Sequence, residues 1–252
     1  MVQIYVDSLA DLSESYKDVK VLPYLFDIEG KKYLTSELSS EDIYNYLSKG
    51  IYPKTSRPNL GVWSDMIEED LKAGKDILYV GSTSKMTGAL SSINVIKNLM
   101  KDKYPDRNIE TIDTCHTSST IDLILYNVIE NLNLDKIKHF ALLKDTNTFV
   151  NNNRFNEKVN NISLIKMQDG MVCLDNYYDN YNEAFEFLKS KSTGNEYKVN
   201  ICFSYDMKNN DLIDQIKNFY LNHNSYVKQY ELSPCMYSYF GLGSVGISIL
   251  EK

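Results

Sequence analysis

Two hydroxyl-rich segments carry the residue types best suited to hold a small anion. Thr55-Ser56-Arg57-Pro58-Asn59 sets two hydroxyls and a guanidinium just ahead of an expected helix. Backbone N–H groups and the helix dipole favour negative charge at such a place. The same residues also read as an ordinary helix cap behind a rigid proline turn. Gly81-Ser82-Thr83-Ser84-Lys85-Met86-Thr87-Gly88-Ala89-Leu90-Ser91-Ser92 comes after an apolar run and opens a second expected helix. Open α/β sheets hold ligands there, outside the carboxyl ends of strands, although a Ser/Thr-rich loop also caps itself locally. Its spacing is neither GxxxxGK[ST] nor GxGxxG. As two strand-to-helix loops of one sheet, the segments are expected to share one polar spot. The side-chain oxygens of Thr55, Ser56 and Thr87 should then lie within about 10 Å of each other, the scale of a small carboxylate and its hydrogen bonds.

Other candidates point less clearly to chemistry. Asp113-Thr114-Cys115-His116 puts a thiol beside an imidazole, but neighbours at a strand end point apart, and a nucleophile needs its base in contact. Asp7, Asp11, Asp113 and Asp145 stand near expected strand ends, where a carboxylate is more often a cap than an acid or base. Gly241-Leu242-Gly243-Ser244-Val245-Gly246 permits close backbone approach, yet the last residues of the chain read as a strand and not the helix a dinucleotide fingerprint requires. Cys115, Cys173, Cys202 and Cys235 form no CxxC pair, and His116, His139 and His223 share no ligand spacing, so no metal and no cofactor is expected.

The 252 residues carry 34 acidic and 27 basic side chains, a net charge of -7, which argues against nucleic acid as the main partner. No apolar run approaches the ~18 residues of a membrane span. The start MVQIYVDSLADL reads as a buried strand and not a signal peptide. A cytoplasmic location with free thiols is expected.

Positioning these residues requires an α/β framework. Val2 to Val6, Val19 to Phe26, Asp76 to Gly81 and Ile109 to Asp113 read as strands. Glu29-Gly30-Lys31 reads as a turn into a return strand at Tyr33 and Leu34. Helices are expected from Ser39 or Ser40 through Leu47, over Gly61 to Lys72 with Gly74 as its stop, over Thr87 to Met100 and over Thr117 to Asn131. Repeated strand–helix order predicts a mainly parallel sheet flanked by helices. Beyond a soft break near residues 138–150, a hairpin at Gln168-Asp169-Gly170, helices over Glu183 to Lys189 and Asp211 to Leu221, and strands over Lys198 to Ser204, Ser225 to Glu231 and Ser244 to Leu250 predict a smaller α/β unit. The expected division is 1–140 and 141–252.

Taken in order, the segments resemble the DegV family of bacterial fatty-acid-binding proteins. VDSLADL looks like that family's TDSTADL start, KTSRPNLGVW its TSQPS motif with the adjoining helix, and STSKMTGALSSI its SSGLSGTYQSA loop. IETIDTCHTSS is similar to VIDSKSAS, KDTNTFVNNNRF to DTLEYLxxGGRI, and YFGLGSVGISIL to the HVGPGALGL ending. The resemblance implies two α/β domains with a long-chain fatty acid between or beneath them, its carboxylate on hydroxyls and its tail in an apolar tunnel. It also implies a carrier and not an enzyme, which presents the lipid to a separate kinase related to dihydroxyacetone kinases for acyl-phosphate formation. Thr55, Ser56, Thr87, Gly88 and Arg154 then stand at head-group positions. Tyr239 takes the place of the family's histidine, and Arg57 replaces the usual glutamine, offering a positive charge. The chain is shorter than usual between Arg154 and Asp169, where the family carries a helix over the ligand. A lipid-free regulatory or interaction protein is the alternative. A hydrolase or transferase is a further one, but GxSxG does not occur.

Overall fold

The computed structural model describes residues 1–13, 16, 19–128, 137–143, 162–192, 194 and 196–251. The first stretch runs β1 (Val2–Asp7), β2 (Val19–Leu22), β3 (Leu25–Ile28), β4 (Lys31–Leu34), α1 (Ser40–Leu47), β5 (Lys54–Ser56), α2 (Leu60–Lys72), β6 (Asp76–Gly81), α3 (Ala89–Lys101), β7 (Ile109–Asp113) and α4 (Ser119–Val128). The second runs β8 (Ile137–Leu143), β9 (Ile162–Gln168), β10 (Met171–Tyr178), α5 (Tyr181–Lys191), β11 (Tyr197–Phe203), α6 (Asp211–Leu221), β12 (Tyr226–Glu231), α7 (Pro234–Phe240) and β13 (Val245–Glu251).

Three sheets result. A parallel sheet has the order β2-β1-β6-β7, as the strand–helix alternation predicts. A mixed sheet has the order β10-β9-β8-β13-β11-β12, in which only β11 and β12 among the neighbours are parallel. A small antiparallel sheet has the order β4-β3-β5. The expected division after residue 140 falls within β8, whose paired residues all belong to the mixed sheet. Helix α4 packs between the two large sheets. Ile121, Ile124 and Leu125 share a cluster with Val6 and Val80 of the parallel sheet and Leu250 of the mixed one. No helix among the described residues is long and apolar enough to cross a membrane.

Three expectations change. The single strand over Val19 to Phe26 is two strands in different sheets. Pro23 has no N–H to give a ladder, and the Tyr24 N–H donates to Ser8 Oγ and Thr35 Oγ1, both at 3.0 Å. Thr55 and Ser56 are not in a loop of the parallel sheet but in β5, where Thr55 pairs with Phe26 of β3. Helix α7 arises from Ser233-Pro234, a cap residue ahead of proline at the first helical position, a signal that the preceding strand pattern hides.

The first residues after β1 knit the sheets together through buried carboxylates. Asp11 is fully buried and accepts from the Ser118 hydroxyl, ahead of α4, and from the Ser233 N–H, ahead of α7, at 2.7 Å. Burial pushes the Asp11 carboxyl up to about 6. The hydrogen bonds from Ser118 and Ser233 oppose the shift, and nearby Asp122 adds to it. The folded value lies above the ordinary 3.8, so the folded chain holds this proton more tightly. The associated stability is fully present below pH ~3.8 and is lost as pH rises through ~6, roughly 3 kcal/mol in all. Urea titrations of wild type and Asp11→Asn between pH 4 and 7 should therefore diverge, with wild type gaining on the variant as pH falls. Parallel stability curves would show that Asp11 is not the titrating group.

Candidate functional site

A cavity of about 460 Å³ lies where β5, the loop entering α3, β10 and α7 meet. Leu9, Tyr24, Thr55, Ser56, Arg57, Met86, Thr87, Gly88, Thr117, Val172, Met236, Tyr239 and Phe240 line it. Thr55, Ser56, Thr87, Gly88 and Tyr239, all expected from sequence, are thus on one cavity. Arg154 lies outside the described residues, as does Asp145. Sequence reasoning missed Leu9, Tyr24, Met86, Thr117, Val172, Met236 and Phe240. Tyr24 was hidden by reading Pro23 as mid-strand, and Met236 and Phe240 by the unrecognised helix α7. Apolar wall residues carry no signal that separates them from core.

Each wall is held by identifiable bonds. Ser82 donates to Asp7 through both its N–H, at 3.0 Å, and its hydroxyl, at 2.8 Å, which fixes the start of the loop after β6. The Tyr79 ring covers Gly81, where an added Cβ would lie 2.3 Å from the ring, so only glycine fits. Further along, Thr83 Oγ1 donates to the Gly170 carbonyl at 2.7 Å, docking the β9–β10 turn from the mixed sheet onto the loop. Gly170 has φ +75°, and a Cβ there would come 2.7 Å from Thr83 Oγ1. The expected Asp169-Gly170 turn is therefore a hairpin and also a joint. Thr87 Oγ1 accepts from the Ala89 N–H at 3.2 Å, so α3 begins at Ala89, two residues later than expected.

The hydroxyls pair across the cavity. Tyr24 Oη and Thr87 Oγ1 are 2.7 Å apart, and Tyr239 Oη bonds Thr55 Oγ1. Burial pushes the Tyr239 hydroxyl up to about 12; the nearby Cys235 thiol adds to this and the Thr55 bond opposes it. Burial raises Tyr24 as well. Both phenols are neutral donors at physiological pH, and Tyr239 lies further from ionisation than an ordinary tyrosine near 10. The wall also has direction. Ser56, Arg57 and Met86 are exposed, whereas Leu9, Tyr24, Val172, Met236 and Phe240 are buried. The exposed part of the wall thus carries Ser56 and Arg57 beside Met86, and the buried part is mainly apolar but includes the Tyr24 and Thr117 hydroxyls.

Remaining candidates serve structure. Asp7 accepts from Leu9 N, Tyr79 Oη, Ser82 N and Ser82 Oγ. Asp113 accepts from Ser84 and from Cys115 N. Its burial raises the carboxyl pKa, but those hydrogen bonds outweigh it and hold the group below the usual range. His116 Nδ1 contacts its own neighbour, the Thr114 carbonyl, at 2.8 Å. Gly241 and Gly243 turn at φ +81° and +71° ahead of β13, so the glycine run ends α7 and starts a strand. All four cysteines are free thiols. Among the described residues, no cluster of three or more His, Cys, Asp or Glu could hold a metal.

A parallel sheet joined through one helix to a mixed sheet, with a cavity where the two meet, defines an α/β class with two large sheets. The family model described as "Uncharacterised protein, DegV family" matches residues 1–135. The chain belongs to the DegV family. A DegV domain-containing protein of Clostridium perfringens is 34% identical over 117 residues, which are 44% of this chain and 40% of that protein. The fold is similar to that of a DegV family protein from Eubacterium eligens loaded with heptadecanoic acid, at TM-score 0.84 and 17% identity, with 100% of each chain covered. It is also similar to the Streptococcus pneumoniae Fatty Acid Kinase (Fak) B3 protein loaded with linoleic acid. There the TM-score is 0.80 and the identity 16%, with 100% of this chain and 99% of that one covered.

Proposed function

We propose that this chain binds a long-chain fatty acid and presents it, in the cytoplasm, to a separate fatty acid kinase for acyl-phosphate formation. The observation that carries the reading is one cavity lined both by the exposed Ser56 and Arg57 with the hydroxyls of Thr55, Thr87 and Tyr239 and by the buried apolar Leu9, Val172, Met236 and Phe240. An amphiphile fits such a cavity with its carboxylate among Thr55, Ser56, Thr87 and Tyr239 and its tail against the apolar wall. Gly88 leaves room for the Arg57 guanidinium beside the head group, and Arg154, outside the described residues, is a further head-group residue in this reading. The part built on the parallel sheet and the part built on the mixed sheet hold the ligand between them. Relatives described with heptadecanoic and linoleic acid support the ligand class, and the Fak B3 protein supports the kinase partnership.

The carrier role, as opposed to catalysis, is supported by the hydroxyls being paired with one another. Among the described residues, no histidine, cysteine or carboxylate lines the cavity to activate them. Native mass spectrometry of freshly purified protein tests the reading. A retained fatty-acid mass is expected. A protein that is repeatedly empty and takes up no added fatty acid would favour a lipid-free regulatory role.

Tyr239 offers a sharper test. Its neutral phenol donates a hydrogen bond without carrying charge, so fatty-acid affinity should be flat from pH 5.5 to 8. Tyr239→Phe removes the donor and should weaken binding about tenfold. Tyr239→His should introduce tighter binding below pH ~6.5, where the imidazole is charged. Unchanged affinity in Tyr239→Phe would reduce the tyrosine to packing.

A further inference from the structure

The geometry points to Arg57 as the counter-ion of the bound head group, making this cavity selective for amphiphiles with an anionic head and strongest for a dianionic phosphate monoester. The inference rests on the lipid-binding reading. Among the described residues, Arg57 is the one charged side chain on the cavity wall. It also borders a neighbouring groove of about 490 Å³ lined by Ser56, Ser91 and Ser92 together with the apolar Leu60, Trp63 and Val95, and it is exposed, so the cation is accessible from both the cavity and solvent.

The guanidinium is held in place but not neutralised. Its Nη1 donates to the Gly88 carbonyl at 2.9 Å and to Ser92 Oγ. Gly88 has no side chain, and a Cβ there would lie 3.1 Å from Cζ and from Nη2, so glycine lets the planar group rest against the start of α3. No described carboxylate pairs with it. A guanidinium has five N–H donors, and Nη1 alone is engaged here, which leaves Nε and Nη2 for a ligand. Fork-shaped donors match carboxylate and phosphate oxygens two at a time. A fixed, unpaired cation beside neutral hydroxyls favours whichever head group carries the most negative charge. An acyl phosphate, the product of phosphorylating the bound acid, would then be held at least as firmly as the acid itself.

The test uses three probes of equal tail length, namely palmitic acid, hexadecanol and hexadecyl phosphate, titrated at pH 8 into wild type, Arg57→Gln and Arg57→Lys. Wild type should bind the phosphate most tightly, then the acid, then the alcohol. Arg57→Gln should lose about a hundredfold for the phosphate and about tenfold for the acid, as charge-assisted bonds are the strong ones, with the alcohol within about twofold. Arg57→Lys should fall between, keeping charge without the fork. Added salt should weaken the phosphate preference in wild type and in Arg57→Lys but not in Arg57→Gln. An equal loss for all three probes in Arg57→Gln would mean that Arg57 merely braces α3, and it would overturn the inference while leaving lipid binding intact. A loss for the phosphate no larger than that for the acid in that variant would overturn it too. Wild type that binds none of the probes would remove the lipid reading and this inference together.

Discussion

Val172→Trp is expected to reduce fatty-acid affinity about a hundredfold while leaving the fold intact. Val172 sits on β10, is 8% exposed and lines the cavity together with the hydroxyl-bearing residues of β5 and the α3 loop. A tail of about ten methylenes contributes roughly 8 kcal/mol at ~0.8 kcal/mol each, enough for micromolar binding before ordering costs. An indole in that space displaces about four methylenes, or roughly 3 kcal/mol, which is about a hundredfold. Val172 belongs to the main core cluster as well as to the cavity wall, so the ring enters the cavity at an overpacking cost of ~1–3 kcal/mol, which thermal unfolding would register. Displacement of a fluorescent fatty acid reads the affinity and thermal unfolding reads the fold. Affinity within about threefold of wild type, in a variant that is still folded, would place the tail elsewhere.

Asp7→Ala should have the largest effect on stability. The Asp7 carboxylate is fully buried at the end of β1, where it gathers the Leu9 N–H, the Tyr79 hydroxyl at 2.6 Å, and the Ser82 N–H and hydroxyl. Alanine leaves these donors in a sealed space, and an unsatisfied buried polar group costs ~1–3 kcal/mol. A loss on the order of 4–6 kcal/mol is expected once partial rearrangement is allowed for. In a chain of this size that corresponds to a melting temperature lower by roughly 10 °C or more. Asp7→Asn retains an oxygen acceptor and should cost less. Lipid affinity should fall with Asp7→Ala as well, because Ser82 begins the loop that delivers Thr87 and Gly88 to the cavity. A melting temperature within about 2 °C of wild type would show that the donors find other partners.

Most of the framework was legible in the residues because local rules set it. Alternating apolar strands and capped helices specify the parallel sheet. Asp76 to Gly81 and Ile109 to Asp113 match their strands residue for residue. Ser39 caps α1, and Asp169-Gly170 makes its turn, because a hydroxyl ahead of a helix and a positive-φ pair between strands are short-range requirements. The hydroxyls of Thr55, Ser56 and Thr87 announced a polar site by type, and Tyr239 by its place in a resemblance.

Tertiary structure alone decided how those residues meet. Thr55 reached the cavity not from a loop of the parallel sheet but on β5, paired to β3, because Pro23 and the capture of the Tyr24 N–H send the chain out of one sheet and into another. Tyr239 faces Thr55 because Ser40 Oγ holds the Leu232 carbonyl at 2.7 Å, and Asp11 holds the Ser233 N–H, just ahead of α7. The buried wall of Leu9, Val172, Met236 and Phe240 could not be told from core by type, since an apolar side chain looks the same whether it packs against protein or faces a cavity. That difference depends on contacts across long separations, which composition and periodicity do not encode.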